Sequence, residues 1–414
     1  MSQIDGQVEP GVALTDPCET ARVVGERAAP YVAIHDREGS FVVEGYTAVR
    51  ESGYGVLAIP ADLGGDDADL GEVCRAQQVL AGYCASTALA IAMHHHTVLS
   101  LAVRWRAGDD AVGTFLQRVA SENLILCSSG TVDPSKPGLR ATRVAGGFRV
   151  SGRRPYASGV PGADFLLALA GDTNGEWIIN VVIDPAADGV VIHDDWNGMG
   201  MRGSGSNSVT LSDVFVADAD TYMQRPWPRR GRRPRAGADG AQTPAPPQGT
   251  VSPALRRLPL RIHGLMVALP VITAVYVGAG TAMYERAVAL LSEGRRAHEE
   301  VTYRLVGEMA SHQHTAATAL ESMVSEVHDD ALGSEDLYVR VMLAKRQAVL
   351  ASISTVELGM EALGAMSYDR DQPFEQALRD LRAGITHPLP PEHTLRGVGR
   401  SIMVRADWAR GATD

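Results

Sequence analysis

Apolar residues along this chain recur at two different spacings, and the change between them divides it into three. From residue 17 to about 122 the spacing is helical: residues 70–83 carry apolar side chains three and four apart, and residues 85–103 continue as a strongly apolar helix. Residues 53–65 interrupt this with five Gly and Pro residues and read as a loop. From 124 to 217 the apolar runs become short and β-branched. Residues 148–152, 165–170, 177–183 and 208–211 read as strands separated by Gly, Pro, Asp and Asn turns, the pattern of a small sandwich or barrel. Helical spacing returns from 258 to 410, over 265–294, 299–332, 334–364 and 373–381, and antiparallel packing of such helices gives a bundle. The predicted fold is α+β and multidomain: an N-terminal helical domain (1–122), a central small β-barrel or sandwich (123–220), and a C-terminal antiparallel helix bundle (258–414).

Residues 221–257 fit none of these patterns. An Arg- and Pro-rich run over 225–235 leads into an Ala, Gly and Pro stretch ending at 249, with too little apolar surface to offset the entropy of ordering it. It is expected to be a disordered, solvated insertion. The sharper alternative is that its arginines hold an anionic substrate or a cofactor phosphate.

A length of 414 residues allows two or three domains with a substantial core. The net charge of −11 argues against general nucleic-acid binding, which needs a basic surface. Cys18, Cys74, Cys84 and Cys127 form no C-x-x-C pair and read as reduced thiols of a cytoplasmic protein. The first ten residues lack the basic flank and apolar run of a secretory signal. The most apolar window, 265–291, contains Pro270, Gly278, Gly280, Glu285 and Arg286, and suits a buried bundle helix better than a membrane span.

Two motifs invite readings that their contexts refuse. Gly198-Met-Gly-Met-Arg-Gly203 has the G-x-G-x-x-G form of a dinucleotide fingerprint, but it runs into β-branched alternation and opens no helix, so no helix N-terminus awaits a pyrophosphate. The triplet His94, His95 and His96 suggests a metal. Successive helix residues point about 100° apart, so three in a row cannot converge on one ion. No metal site is expected; one imidazole should face the interior and the others solvent.

The β-rich segment resembles the middle domain of the acyl-CoA dehydrogenase superfamily, which binds a flavin ring, and Pro60 with Gly64-Gly65 resembles that family's loop between early helices. The resemblance covers residues 40 to about 405. It implies a flavin, FAD or FMN, held through several positions. Ser129 matches the hydroxyl residue on the strand entering the flavin site. In Gly152-Arg-Arg-Pro-Tyr-Ala-Ser-Gly159, Tyr156 takes the place of the family's aromatic and Ser158 that of the hydroxyl residue near flavin N5. Arg202 and Ser204 lie on a loop that in the family borders the cofactor, and Arg379-Asp380 matches its Arg-Asp signature.

In many family dehydrogenases a glutamate eight residues after that Asp removes the substrate α-proton. Here Pro388 stands there, and proline cannot act as a base. His387 precedes it. This is similar to the reduced-flavin-dependent monooxygenase branch, the dibenzothiophene monooxygenase and two-component aromatic hydroxylase type, in which a histidine there accompanies a Ser-Gly serine and a histidine on an early helix, taken here as His94. The resemblance thus implies a monooxygenase using reduced flavin and O2 on a small-molecule substrate, with His387, His94 and Ser158 catalytic. It also implies a separate flavin reductase and a homodimer or homotetramer, with neither nucleic acid nor membrane as partner. The alternatives are an FAD-dependent acyl-CoA or acyl-thioester dehydrogenase whose base is His387 or Glu392, and a non-catalytic flavin-binding subunit.

Overall fold

In the computed structural model, residues 16–129, 137–226, 260–294, 297–327 and 335–411 are described. The N-terminal domain is built from α1 (Pro17–Ala28), α2 (Val32–Glu38), α3 (Val43–Ser52), α4 (Leu70–Tyr83), α5 (Ala85–Arg106) and α6 (Asp110–Ser121). Local chemistry sets several of these ends. Asp16 caps α1, accepting from the Cys18 amide at 2.9 Å ahead of Pro17. Asp69 and Glu72 form a reciprocal capping box at the start of α4. The expected loop over 53–65 holds two short 3₁₀ turns, at Tyr54–Val56 and Ala61–Leu63.

The central part is one mixed sheet of eight strands: β1 (Leu126–Ser129), β2 (Leu139–Val144), β3 (Gly147–Ala157), β4 (Phe165–Asp172), β5 (Trp177–Ile183), β6 (Val190–Ile192), β7 (Asn207–Ala217) and β8 (Thr221–Pro226). Its order is β6-β7-β3-β2-β4-β5-β8. β1 runs parallel to β4, with Leu126 opposite Phe165 and Ser129 opposite Ala168, and β2 continues along β4 from Ala170. The sheet extends six residues beyond the boundary expected at 220, because 221–226 form β8 against β5. The remainder of the expected insertion, from 227 to 257, lies outside the described residues. The sheet's own core includes Cys127, Phe148, Val150, Ile179, Val181 and Val209.

The bundle comprises α7 (Leu260–Glu293), α8 (Glu300–Glu326), α9 (Glu335–Leu363), the short α10 (Ala365–Tyr368), α11 (Phe374–Thr386) and α12 (Pro391–Gly411). α7 is apolar enough to cross a membrane by length and composition, yet 83% of its apolar window is buried within the chain, as expected of a core helix. It packs against α4, α5 and α9, so one apolar core runs through both helical domains.

Candidate active site

β1 is the spine of the site. Each of its four residues is tied to another part of the chain, two of them to α5. The Leu126 amide donates to Nδ1 of His94 on α5 at 3.0 Å. The Cys127 thiol reaches the carbonyl of Ser158 at 3.3 Å. The Ser128 hydroxyl shares a hydrogen bond of 3.0 Å with Nε2 of His96. The Ser129 hydroxyl accepts from Nε of buried Arg154 at 3.2 Å, while a second nitrogen of that guanidinium donates to the Ser129 carbonyl at 2.7 Å.

The three adjacent histidines therefore have different surroundings. His94 is fully buried and saturated: besides accepting from Leu126, it donates through Nε2 to the Gly55 carbonyl at 2.6 Å. It fastens α5, β1 and the Gly55 turn together. His96, two residues on, is only partly buried. His95 is also fully buried, its ring edge-on to Tyr54 at 4.9 Å. The expectation of one interior and two solvent-facing imidazoles is thus corrected to two interior and one partly buried, because α5 is enclosed on most of its circumference. Among the described residues no group of three His, Cys, Asp or Glu could hold a metal ion.

His387 follows the last turn of α11, and its Nδ1 shares a 3.2 Å hydrogen bond with the hydroxyl of buried Tyr276 on α7. Desolvation, followed by the positive charge of Lys345, pushes it down to about 3 from an ordinary 6.5. Burial likewise lowers His96 to about 4, with the neighbouring His94 adding to the effect. Both rings are neutral at physiological pH. The site is thus bordered by two uncharged imidazoles on different helical domains, each fixed through one nitrogen by a hydroxyl.

On the sheet side, Ser158, Ser206 and Ser204 form a buried chain of hydroxyls, with 2.7 Å between Ser158 and Ser206 and 2.7 Å between Ser206 and Ser204. Tyr156 is 71% exposed and held at a left-handed φ of 58°, its ring edge-on to Trp196 at 6.2 Å. Such a backbone is unfavourable for an aromatic residue and is retained only where its surroundings impose it. An aromatic face presented to solvent next to a hydroxyl chain fits a planar heteroaromatic ring with polar edges.

Three other residues expected at the cofactor are engaged by the protein itself. Arg202 donates from Nε to the carbonyl of Asp36, and from its terminal nitrogens to Asn197, Gly198 and Arg37. Arg379 forms a bidentate pair with Asp36 at 2.9 and 2.6 Å, bonds Glu375 on its own helix, and reaches the Met199 carbonyl at 3.0 Å. Asp380 accepts from the Met201 amide. Burial, only partly countered by that bond, raises its pKa to about 7. These contacts lock the 198–206 loop between α2 and α11. The fit is close: a side chain at Gly200 would meet the Arg379 carbonyl at 2.2 Å.

Two models of one family match the chain: acyl-CoA dehydrogenase N-terminal domain over residues 18–123 and acyl-CoA dehydrogenase C-terminal domain over 271–389, together more than half of it. The chain belongs to the acyl-CoA dehydrogenase family. Among its relatives, a putative acyl-CoA dehydrogenase, YdbM of Bacillus subtilis, is 24% identical over 372 residues, covering 85% of this chain and 87% of that protein. L-evernosamine nitrososynthase of a Micromonospora strain is 26% identical over 375 residues, covering 86% and 82%. Among solved structures, KijD3 in complex with FMN and a dTDP-sugar superposes with a TM-score of 0.79 at 24% identity, covering 94% of this chain and 93% of that one. The family accounts for the helix–sheet–helix order.

Sequence reasoning singled out Ser158, Tyr156 and His387 and passed over His96 and Ser128, which the structure pairs with each other, one of them two residues from His94 and the other next to Ser129. A run of like residues carries no internal signal of which one faces the site. Only the pairing of α5 with β1 decides.

Proposed function

We propose that this protein is a monooxygenase that uses reduced flavin and O2 to oxygenate a small organic substrate. The observation that carries this reading is the composition of the site. Two neutral imidazoles and several hydroxyls stand where a dehydrogenase needs a carboxylate base, and Pro388 occupies the position of that base. Asp380, the buried carboxyl next along α11, is engaged by the Met201 amide.

Tyr156 and Trp196 are suited to support the flavin ring, and Ser158 to hydrogen-bond its polar edge through a hydroxyl aligned by Ser206 and Ser204. When bound, reduced flavin supplies the two electrons by which one oxygen atom of O2 enters the substrate and the other leaves as water. The chain's own part is to exclude bulk water and to hold or move protons. His387, with Nδ1 engaged by Tyr276, has Nε2 for that task, and His96 exchanges protons with Ser128. FMN rather than FAD fits the absence from residues 293–300 of the Arg-x-x-Phe-Gly motif that reaches a neighbour's FAD in family dehydrogenases. The nitrososynthase relative and the FMN complex of KijD3 support the same reading. A separate reductase, a cytoplasmic location and a homodimer or homotetramer complete it.

The test is oxygen uptake by the purified protein supplied with chemically reduced FMN and a panel of primary amines, phenols and sulfur heterocycles. Isotopically labelled O2 should place one labelled atom in the product. The YdbM relative favours a second reading, an FAD-dependent acyl-CoA dehydrogenase forming an α,β-double bond. Bleaching of bound FAD by an acyl-CoA in the absence of oxygen, with no labelled product in air, would establish that reading and exclude the first.

A further inference from the structure

Lys345 lies on α9, far in sequence from every motif discussed above, and is 3% exposed. Its Nζ donates to the carbonyl of Gly384 at 2.6 Å. Gly384 is in the last turn of α11, where carbonyls have no partner within the helix and the helix dipole presents its negative end. The neighbouring carbonyl of Ala383 is satisfied by the His387 amide at 2.9 Å and the Thr386 hydroxyl at 3.2 Å. Close packing brings the lysine to this point: a side chain at Gly384 would come within 2.9 Å of Val349 on α9 and 3.1 Å of Tyr276 on α7. His387 leaves this helix end directly, with its ring bonded to the same Tyr276.

We infer that Lys345 is a positioning residue: it fixes the end of α11 through the Gly384 carbonyl, and with it the place of His387, which leaves that helix end bonded to Tyr276, and it sets a buried positive charge close to that imidazole. The proposal rests on the functional reading above for the importance of His387, but not for the coupling itself. The charged and titratable groups around this pair are Arg346 on the helix of Lys345, His96 on α5, and Tyr276 on α7, which itself senses Asp380 on α11. Burial lowers Lys345 to about 8, so the ammonium persists across the neutral range in which the site works.

The deciding experiment needs neither flavin nor oxygen. Full-length flavin-free protein with carbon-13-labelled histidine is titrated by NMR, and the His387 resonance is assigned by its loss in His387→Gln. Two variants separate the contributions. Lys345→Gln keeps a donor for Gly384 and loses the charge; Lys345→Met loses both. In each, the His387 midpoint is expected to rise by about one pH unit, the size of effect a neighbouring charge commonly has. Lys345→Met should in addition speed amide exchange in the last turn of α11. Unchanged midpoints in both variants, or in whichever of them folds, overturn the inference. If instead the midpoints move while labelled oxygen never enters a product, the functional proposal fails and the coupling stands.

Discussion

Nε2 of His96 lies 3.0 Å from the hydroxyl of Ser128, while His94, half a helical turn earlier, has both ring nitrogens bound to backbone. Burial lowers both imidazoles to about 4, so it is their bonding partners that differ. Replacing each by alanine tells them apart. His96→Ala should leave thermal unfolding close to wild type and lower turnover by about 10²- to 10⁴-fold, the usual range for loss of a proton-transfer group. His94→Ala should cost about 2–4 kcal/mol of stability, through two lost buried hydrogen bonds and a cavity. Loss of turnover without loss of stability in the His94 variant would reverse the assignment.

The hydroxyl chain gives a graded prediction. Ser158→Ala should weaken FMN binding by about tenfold, as expected for one hydrogen bond to the ring in a desolvated site. Ser206→Ala leaves the Ser158 hydroxyl present but frees its orientation, so the loss should be smaller. Fluorescence titration with FMN measures both, and equal losses would argue that the chain does not align Ser158.

Arg379→Ala removes a bidentate partner from Asp36 and leaves Glu375 only its longer, 3.9 Å contact with Arg370. A destabilisation of about 2–4 kcal/mol is expected, since breaking a largely buried pair strands its other member. Arg379→Lys should recover little of it, because a single ammonium cannot reproduce the fork that engages both Asp36 oxygens. Chemical denaturation of the three proteins tests this.

Acid should destabilise the fold through its histidines. His94 and His96 lie near 4 and His387 near 3, below their ordinary 6.5, and His95 is lowered by burial as well. Each takes up its proton more readily unfolded than folded, so stability present above 6.5 is lost as pH falls toward 4. Asp380 acts in the opposite sense. Raised from 3.8 to about 7, it favours the folded state at low pH and loses that contribution as pH rises through 7. Asp66 and Asp220, also raised by burial, act with Asp380, so four histidines oppose three carboxyls; the melting temperature should decline from pH 6.5 to 4, and Asp380→Asn should make that decline steeper. A flat profile over this range would remove the basis for neutral imidazoles at the site.

The architecture was legible because spacing encodes it: period-3.6 runs gave the helical domains, and β3, β4, β5 and β7 stood out as β-branched runs between turns. β1, β6 and β8 were harder. The first is four residues long, the second three, and β8 enters the sheet from the edge of an Arg- and Pro-rich stretch. The site divided along the same line. His387, Ser158 and Tyr156 sit in motifs whose local context marks them. Lys345 and Tyr276 have no such context, because their significance arises only where α7, α9 and α11 meet. Arg202, Arg379 and Asp380 illustrate the converse: the motif was legible, but a motif does not state whether its donors face a ligand or another part of the chain.

The pairing of Asp36 with Arg379 joins residues 343 positions apart. During synthesis, the second helix therefore waits for its counter-charge until nearly the whole polypeptide has emerged. Until then Asp36 lacks its partner, and the 198–206 loop has only one of its two walls. A chain released before α11 is complete should remain a protease-sensitive intermediate with low affinity for flavin, so catalytic competence is acquired only at the end of translation.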